Sequence, residues 1–265
     1  MAPSADGVGR VAVITHGRPG QIGDALERLH RVADQAGVEL VDVGDRPDLA
    51  VVLGGDGTML RGLKRFLGTR TPVIGVNFGS VGFLTSVPPD ELEAGLERAF
   101  AGYYVVVELR TLHVEFAHGQ HTAVNDVVLR SAILGRMVHL SWRLGGEDLG
   151  EVACDGVICA TPAGSTAYNL SNGGPVLVWG LEAMAVSFLA PHSLHVRPLV
   201  VPEGLDLELR NESPDVPASL LVDGHASGNL HPGESGLVRV DDDASLLATL
   251  PEATFFRRYR NVFAH

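Results

Sequence analysis

The chain has 265 residues, 20 basic against 32 acidic side chains, a net charge of −12 and 45% hydrophobic residues. That length holds one large domain or two ordinary ones, and the apolar content fits a soluble chain with a filled core. The acidic balance argues against general binding to nucleic acid or to an anionic membrane, so an anionic ligand must be held locally by N–H groups, arginines or a metal ion. Arg10 to Thr15 reads as a short buried strand, and Ile22 to Ala36 as an amphipathic helix stopped by Gly37. Val38 to Val43 and Leu49 to Leu53 follow as strands. The run Leu53-Gly54-Gly55-Asp56-Gly57-Thr58 then breaks the apolar segment abruptly, and Thr58 to Leu67 is helix-compatible. Pro72 to Asn77 is another buried strand, ending in Phe78-Gly79-Ser80-Val81-Gly82-Phe83, and Asp90 to Ala101 is a further helix.

Alternating strands and helices of this kind predict a parallel sheet with helices on its faces. Ligands of such sheets bind beyond the carboxyl ends of the strands, where both Gly54–Gly57 and Asn77–Gly79 fall. From Tyr103 the texture changes to short β-branched segments: 103–107, 111–116, 122–130, 136–144, 151–160, 185–190, 196–201, 205–210, 218–223, 236–241 and 245–250. Turn clusters such as His118-Gly119-Gln120 separate them. This predicts a second, mostly β domain of sandwich or barrel type. The expected division is an α/β domain over 1–101, with the tail 251–265 packing back on it, and an all-β domain over 102–250. Asp241–Asp243 is expected to be a solvated turn.

The Gly54–Thr58 turn carries the sharpest chemical signal. Glycines let a backbone approach a phosphate, and N–H groups at a helix start bind it, so Gly54, Gly55, Gly57 and Thr58 are expected to face phosphate. Asp56 would repel a bare phosphate. It makes sense as a base, or as a partner for a metal ion that accompanies the phosphate. Arg61, one turn into the helix, can face the same phosphate. The usual P-loop, a strand-linked G-x-G-x-x-G, the G-x-S-x-G elbow and H-E-x-x-H are all missing from the sequence.

In the second half, a buried strand runs into Thr161-Pro-Ala-Gly-Ser-Thr-Ala-Tyr168-Asn-Leu-Ser171. This loop has many small donors and one aromatic, a mixture that suits a nucleotide. Asn125-Asp126 interrupts an apolar strand, and such a pair can hydrogen-bond ribose hydroxyls. Cys154 and Cys159 read as buried small hydrophobes. The amino-terminal MAPSADGVGR lacks a signal-peptide core and no stretch approaches membrane-spanning length, so the expected location is the cytoplasm.

In this order, the pieces resemble the NAD kinase family. The match runs through Gly54-Gly55-Asp56-Gly57-Thr58, Asn77-Phe78-Gly79 with Gly82-Phe83-Leu84, Asn125-Asp126, Asp155-Gly156, Thr161 to Tyr168 with Ser171 and Gly173-Gly174-Pro175, Pro191 to Leu194 with Arg197-Pro198, and Asp223-Gly224-His225. It implies a Rossmann-like α/β domain of the GGDG-kinase type followed by a β-sandwich-like domain. The activity implied is phosphorylation of the adenosine ribose 2′-hydroxyl of NAD, with ATP, another nucleoside triphosphate or polyphosphate as donor. A divalent cation, usually magnesium, would accompany the donor. By the same resemblance Asp56 is the catalytic residue. Asp56, Gly57, Arg61, Asn125, Asp126, Arg136, Ala153, Asp155, Ala163, Thr166, Ala167, Tyr168, Asn169, Leu170, Ser171 and His225 would surround the dinucleotide, and no residue is assigned as a direct metal ligand. Members assemble as homodimers or homotetramers, with no nucleic-acid or membrane partner. Two other readings stay open on the residues alone: a GGDG-type kinase of a lipid or sugar phosphate, and a non-catalytic dinucleotide sensor.

Overall fold

Strand and helix alternate through the first hundred residues because apolar β-branched runs such as Leu49–Gly54 alternate with segments apolar on one face only. The computed structural model describes residues 7–15, 20, 22–79, 82–117 and 119–263. It divides into two units, 1–109 with 244–265, and 110–243. These divisions fall several residues from the expected 101/102 and 250/251.

In the first unit β1 (Arg10–Thr15), β2 (Glu39–Val41), β3 (Leu49–Gly54) and β4 (Val73–Asn77) pair in parallel in the order β2-β1-β3-β4. The far end of a long late strand, residues 244–249, adds to β4, also in parallel. Leu49, Val51 and Leu53 join one apolar cluster with Leu29, Val32, Leu92 and Leu96 of α1 (Ala25–Ala36) and α3 (Leu92–Phe100). α2 (Asp56–Arg65) covers the opposite face, with Gly62 close enough to β3 that a Cβ there would lie 2.8 Å from Val52. β3 is buried at every position, as a parallel strand covered on both faces must be.

The second unit is an antiparallel β structure. β5 (Val105–Phe116) enters it, and β6 (Gly119–Ala123), β7 (Asp126–Ser131), β8 (Val138–Leu144), β9 (Glu147–Cys154) and β10 (Gly156–Ala160) follow. After α4 (Tyr168–Ser171) come β11 (Ala183–Leu189), β12 (Leu199–Pro202), β13 (Leu207–Asn211), β14 (Ala218–Val222), β15 (His225–Leu230) and β16 (Ser235–Thr249). One sheet runs β16-β13-β8-β9, with β5 and then β6 added on β16; the other runs β12-β11-β10-β7-β14-β15. One apolar cluster takes Val114, Leu140, Val152 and Leu209 from the first sheet and Leu129, Val157, Val186 and Leu220 from the second, which is the core of a sandwich.

Several expected boundaries move. Segments 103–107 and 111–116 are one strand, and 236–241 and 245–250 are one strand, β16. Asp241–Asp243 therefore lies within a strand rather than at a turn. Its acids stay outward, while the carbonyls of Asp242 and Asp243 accept from Arg110 and from the Thr111 hydroxyl. Segments 122–130 and 151–160 each break in two, at Asn125 and Asp155, because the chain leaves one sheet for the other at each point. β15 was not expected, since His-Ala-Ser-Gly-Asn-Leu is mostly polar and exposed. Residues 1–6, Ser80, Val81 and His118 of the motifs above lie outside the described residues. Among the described residues no helix is long and apolar enough to cross a membrane.

Candidate functional site

The Gly54–Thr58 turn sits where the sequence puts it, at the carboxyl end of β3, but the helix begins two residues earlier than expected. Gly55 takes the cap position in an extended conformation (φ −93°, ψ −172°), so Asp56 is the first helical residue. The Thr58 and Met59 N–H groups both donate to the Gly55 carbonyl. Among the described residues no side chain caps this end, so the Asp56 and Gly57 N–H groups are placed to meet an anion. A second turn packs against the first. The Phe78 N–H donates to the Gly54 carbonyl at 3.1 Å, and a Cβ on Gly79 would lie 3.0 Å from the Gly55 Cα. Asn77 closes this second turn by accepting the Gly79 N–H at 3.1 Å. Two glycine turns from adjacent strands thus form one surface of backbone.

The Asp56 carboxylate is fixed at both oxygens. Oδ2 accepts from the Phe83 N–H at 2.7 Å and Oδ1 from the Leu84 N–H at 3.1 Å. Such bonds to an ionised acceptor contribute about 1.5–3 kcal/mol each. Gly82 leaves the room, since a Cβ there would sit 2.2 Å from Oδ1. Arg61 is exposed and its guanidinium lies 3.5 Å from the Thr58 hydroxyl, facing the same turn. A residue that the motif search missed stands behind the site. Arg258, on α5 (Phe255–Phe263), is buried and donates to the carbonyls of Phe83 and Thr85. Burial pushes its guanidinium down to about 10, and the Asp56 charge pulls the other way.

In the second unit, Asn125 and Asp155 are the places where the chain changes sheet. Asn125 is a bend between β6 and β7, and the Asp223 carboxylate holds it. Oδ1 of Asp223 accepts from the Asn125 N–H at 2.7 Å and Oδ2 from the Val124 N–H at 3.2 Å. Asp223 itself has a left-handed φ of 51°. The Asn125 carbonyl accepts the Thr161 N–H at 2.9 Å, and Gly164 packs so tightly on it that a Cβ would lie 1.9 Å away. Asn125-Asp126, the 161–171 loop and Asp223-Gly224-His225 are therefore brought together. The Asn125 side-chain oxygen is buried and has no hydrogen-bond partner among the described residues, a rare state for a buried acceptor.

Asp126 is buried, and its carboxyl is pushed up to about 6 by that burial first and by the Asp223 charge second. This makes stability depend on pH. Below the ordinary value of 3.8 the group is protonated in both the folded and the unfolded chain. Between 3.8 and about 6 the unfolded chain gives up the proton first, so stability falls as pH rises, by roughly 1.4 kcal/mol per unit, and levels off above 6. Asp126→Asn removes this dependence. The melting midpoint of the variant minus that of the parent is expected to be small at pH 4 and to climb to a positive plateau by pH 7. A difference that does not change with pH would refute it.

The other loop residues divide by exposure. Tyr168 opens α4 and is exposed, with Thr166, Ala167 and Leu170 half-buried and Ser171 exposed beside it. Ala163 is buried at the start of the turn. The Asn169 side chain is fully buried and committed to the loop. It donates to the carbonyls of Ser165 and Pro175 and accepts from the Ser187 hydroxyl. Asp155 is exposed at the second sheet change, and Ala153 sits just before it, with its carbonyl accepting the His192 N–H. His225 opens β15, and its Nδ1 lies 2.9 Å from the Asp223 carbonyl. Arg136 does not open a strand, since β8 starts at Val138. It forms a two-pronged pair with Asp215 on the surface, at 2.9 and 2.7 Å. Cys154 and Cys159 are buried free thiols, both pushed up to about 12 chiefly by burial, which makes them poor nucleophiles.

Among the described residues no three His, Cys, Asp or Glu side chains gather as metal ligands. The residues present do not fit a metal held by protein ligands alone; Asp56 offers a single carboxylate at the Gly54–Thr58 turn.

Residues 28–104 match the family model described as the ATP-NAD kinase N-terminal domain, and residues 124–246 match the ATP-NAD kinase C-terminal domain. The chain is 39% identical over 222 residues to the NAD kinase of Gemmatimonas aurantiaca, covering 81% of this chain and 76% of that one. It is 37% identical over 244 residues to the NAD kinase of Heliobacterium modesticaldum, covering 90% and 86%. Among solved structures, an NAD kinase from Archaeoglobus fulgidus in complex with ATP superposes with a TM-score of 0.79 at 26% identity, over 96% of this chain and 97% of that one. Yeast NADH kinase complexed with NADH gives a TM-score of 0.84 at 23% identity, over 98% and 88%, a likeness of fold.

Proposed function

The chain belongs to the NAD kinase family and phosphorylates NAD to NADP with ATP, and from that premise we propose that Asp56 is the base that takes the proton from the adenosine ribose 2′-hydroxyl. The observation that carries this is the single carboxylate at the glycine turn, held at both oxygens by backbone N–H groups. A ribose hydroxyl is a weak acid and needs a fixed acceptor as its oxygen attacks. In the step proposed, the 2′-oxygen forms a bond to the γ-phosphorus, the bond from phosphorus to the β-phosphate bridging oxygen breaks, ADP leaves, and the proton passes to Asp56. Little covalent help is required; positioning and charge neutralisation do most of the work. The N–H groups of Asp56 and Gly57 at the start of α2, with Arg61, are suited to the phosphates.

Asn125 and Asp126 are proposed to hold ribose hydroxyls, with the Asn125 side-chain oxygen, which has no partner among the described residues, as acceptor. Asp155, Ala163 and the Thr166–Ser171 segment are proposed to line the dinucleotide, with Tyr168 against a base. Asn169 contributes by keeping that segment in shape. A divalent cation, magnesium by family analogy, would enter with the donor phosphates and help neutralise their charge. A coupled assay tests the activity: purified protein, NAD, ATP and Mg²⁺, with product detected by an NADP-specific dehydrogenase. Steady signal is expected, and no signal despite demonstrable NAD binding would overturn the donor assignment first.

Tyr168→Ala is expected to raise KM for NAD about 10-fold, because base–aromatic stacking contributes about 1–3 kcal/mol, while kcat stays within about 3-fold, because stacking acts equally in ground and transition states. Steady-state kinetics reads both, and an unchanged KM removes Tyr168 from the site.

A further inference from the structure

Arg258 makes several hydrogen bonds to described residues of the first unit. Nε donates to the Ala253 carbonyl at 3.1 Å, and one terminal nitrogen to the Thr249 hydroxyl at 2.8 Å. The other terminal nitrogen donates to the Phe83 carbonyl at 2.8 Å and to the Thr85 carbonyl. The same short segment, 83–85, supplies both N–H groups that hold the Asp56 carboxylate.

One peptide unit belongs to both contacts. The Phe83 carbonyl and the Leu84 N–H lie on a single planar trans peptide, so they point in opposite directions and turn together. Where Arg258 holds the Phe83 oxygen, it sets where the Leu84 N–H points, and that N–H points at Asp56 Oδ1. A cation at the oxygen also polarises the peptide and strengthens its N–H as a donor. The Phe83 ring is gripped by the same helix, with centroids 5.9 Å from Phe255 and 5.6 Å from Phe263. A buried arginine that only tied down a chain end would have no need of carbonyls on this segment.

We propose that Arg258 is a positioning residue for the phosphoryl-transfer step, acting through the 83–85 segment to aim the Asp56 carboxylate. Helix α5 is thereby part of the catalytic apparatus, although none of the residues proposed to touch substrate lies on it. This rests on reading Asp56 as the base.

Arg258→Gln and Arg258→Lys are compared with the parent and with Asp56→Asn, well below each protein's melting midpoint and with folding checked by circular dichroism. Misaiming a catalytic group without removing it lowers kcat by about 10- to 100-fold. That loss is expected for Arg258→Gln, with KM for NAD within about twofold and partial rescue in Arg258→Lys, which keeps the cation but not the fork. Full turnover in folded Arg258→Gln overturns the proposal, as does a parallel change in kcat and KM, which would mark a general loosening of the unit. Should Arg258→Gln fail to fold, Arg258→Lys is judged alone, and parental kcat there overturns the proposal. Asp56→Asn keeps the two ideas apart: turnover in that variant sinks the base assignment itself, whereas a dead Asp56→Asn beside a fast Arg258→Gln sinks only the role of Arg258.

Discussion

Asp56→Asn is expected to lose at least 10³-fold in kcat while binding NAD within about twofold of the parent, since general-base contributions run to about 10²–10⁴. The substitution keeps size and shape but removes the basic oxygen. It also changes the anchoring in a calculable way. Both carboxylate oxygens accept an N–H, from Phe83 and from Leu84. An amide offers one accepting oxygen, so one of those donors faces an NH₂ group and is repelled. Some loss of stability, about 1–3 kcal/mol, is therefore expected beside the loss of turnover. Isothermal titration with NAD separates the two, because a residue used in the chemical step leaves ground-state binding intact. A loss of NAD affinity as large as the loss of kcat would recast Asp56 as a residue that holds ligand.

Gly82→Ala is expected to come second in size, with kcat reduced about 100-fold and the base still present. The added methyl would lie 2.2 Å from Asp56 Oδ1, 2.5 Å from Cγ and 2.7 Å from Oδ2. All three are inside any real contact distance, so the carboxylate must leave its place. It cannot do so without giving up the Phe83 and Leu84 N–H groups. A displacement of about 1 Å in a reacting group is enough for a loss of this order. NAD affinity should again be nearly unchanged. Kinetics and calorimetry on the same preparation check it, and parental kcat in folded Gly82→Ala would mean that Asp56 can work from another position.

The Gly54–Thr58 turn was legible in the sequence because its structure is local. An apolar run, two glycines, an acid and a helix-compatible segment make a strand, a turn and a helix start with no help from distant residues. The change from α/β to β texture near Tyr103 was legible for the same reason. What escaped the reading depends on partners far along the chain. Arg258 sits in a tail without a motif, and its meaning comes from carbonyls 173 and 175 residues away. Asp223 could be seen as ending a strand, but not as the carboxylate that caps the 124–126 bend across 97 to 99 positions. Asn125 was visible as a polar break in an apolar run, whereas Asp155 lay inside a single expected strand, 151–160. That they are the points where the chain changes sheet could not be seen, because pairing between strands is set by tertiary structure and not by propensity. Asn169 was read with its neighbours as ligand-facing, and only the packing reveals a side chain turned inward to serve the loop.

The first unit is discontinuous in the chain, since its sheet is finished by residues 244–249 and its 83–85 segment is braced by a helix at 255–263. During synthesis the β4 edge emerges early and waits unpaired while the whole 110–243 unit is made. At about 5–20 residues per second that is a delay of roughly ten to thirty seconds. An uncovered parallel edge is a template for pairing with other chains. A chain interrupted before residue 244 thus leaves the β4 edge and the 83–85 segment without their later partners at the same time. The first unit can therefore be completed only after residues 110–243 have been made, and the 83–85 segment gains its Arg258 contacts after that.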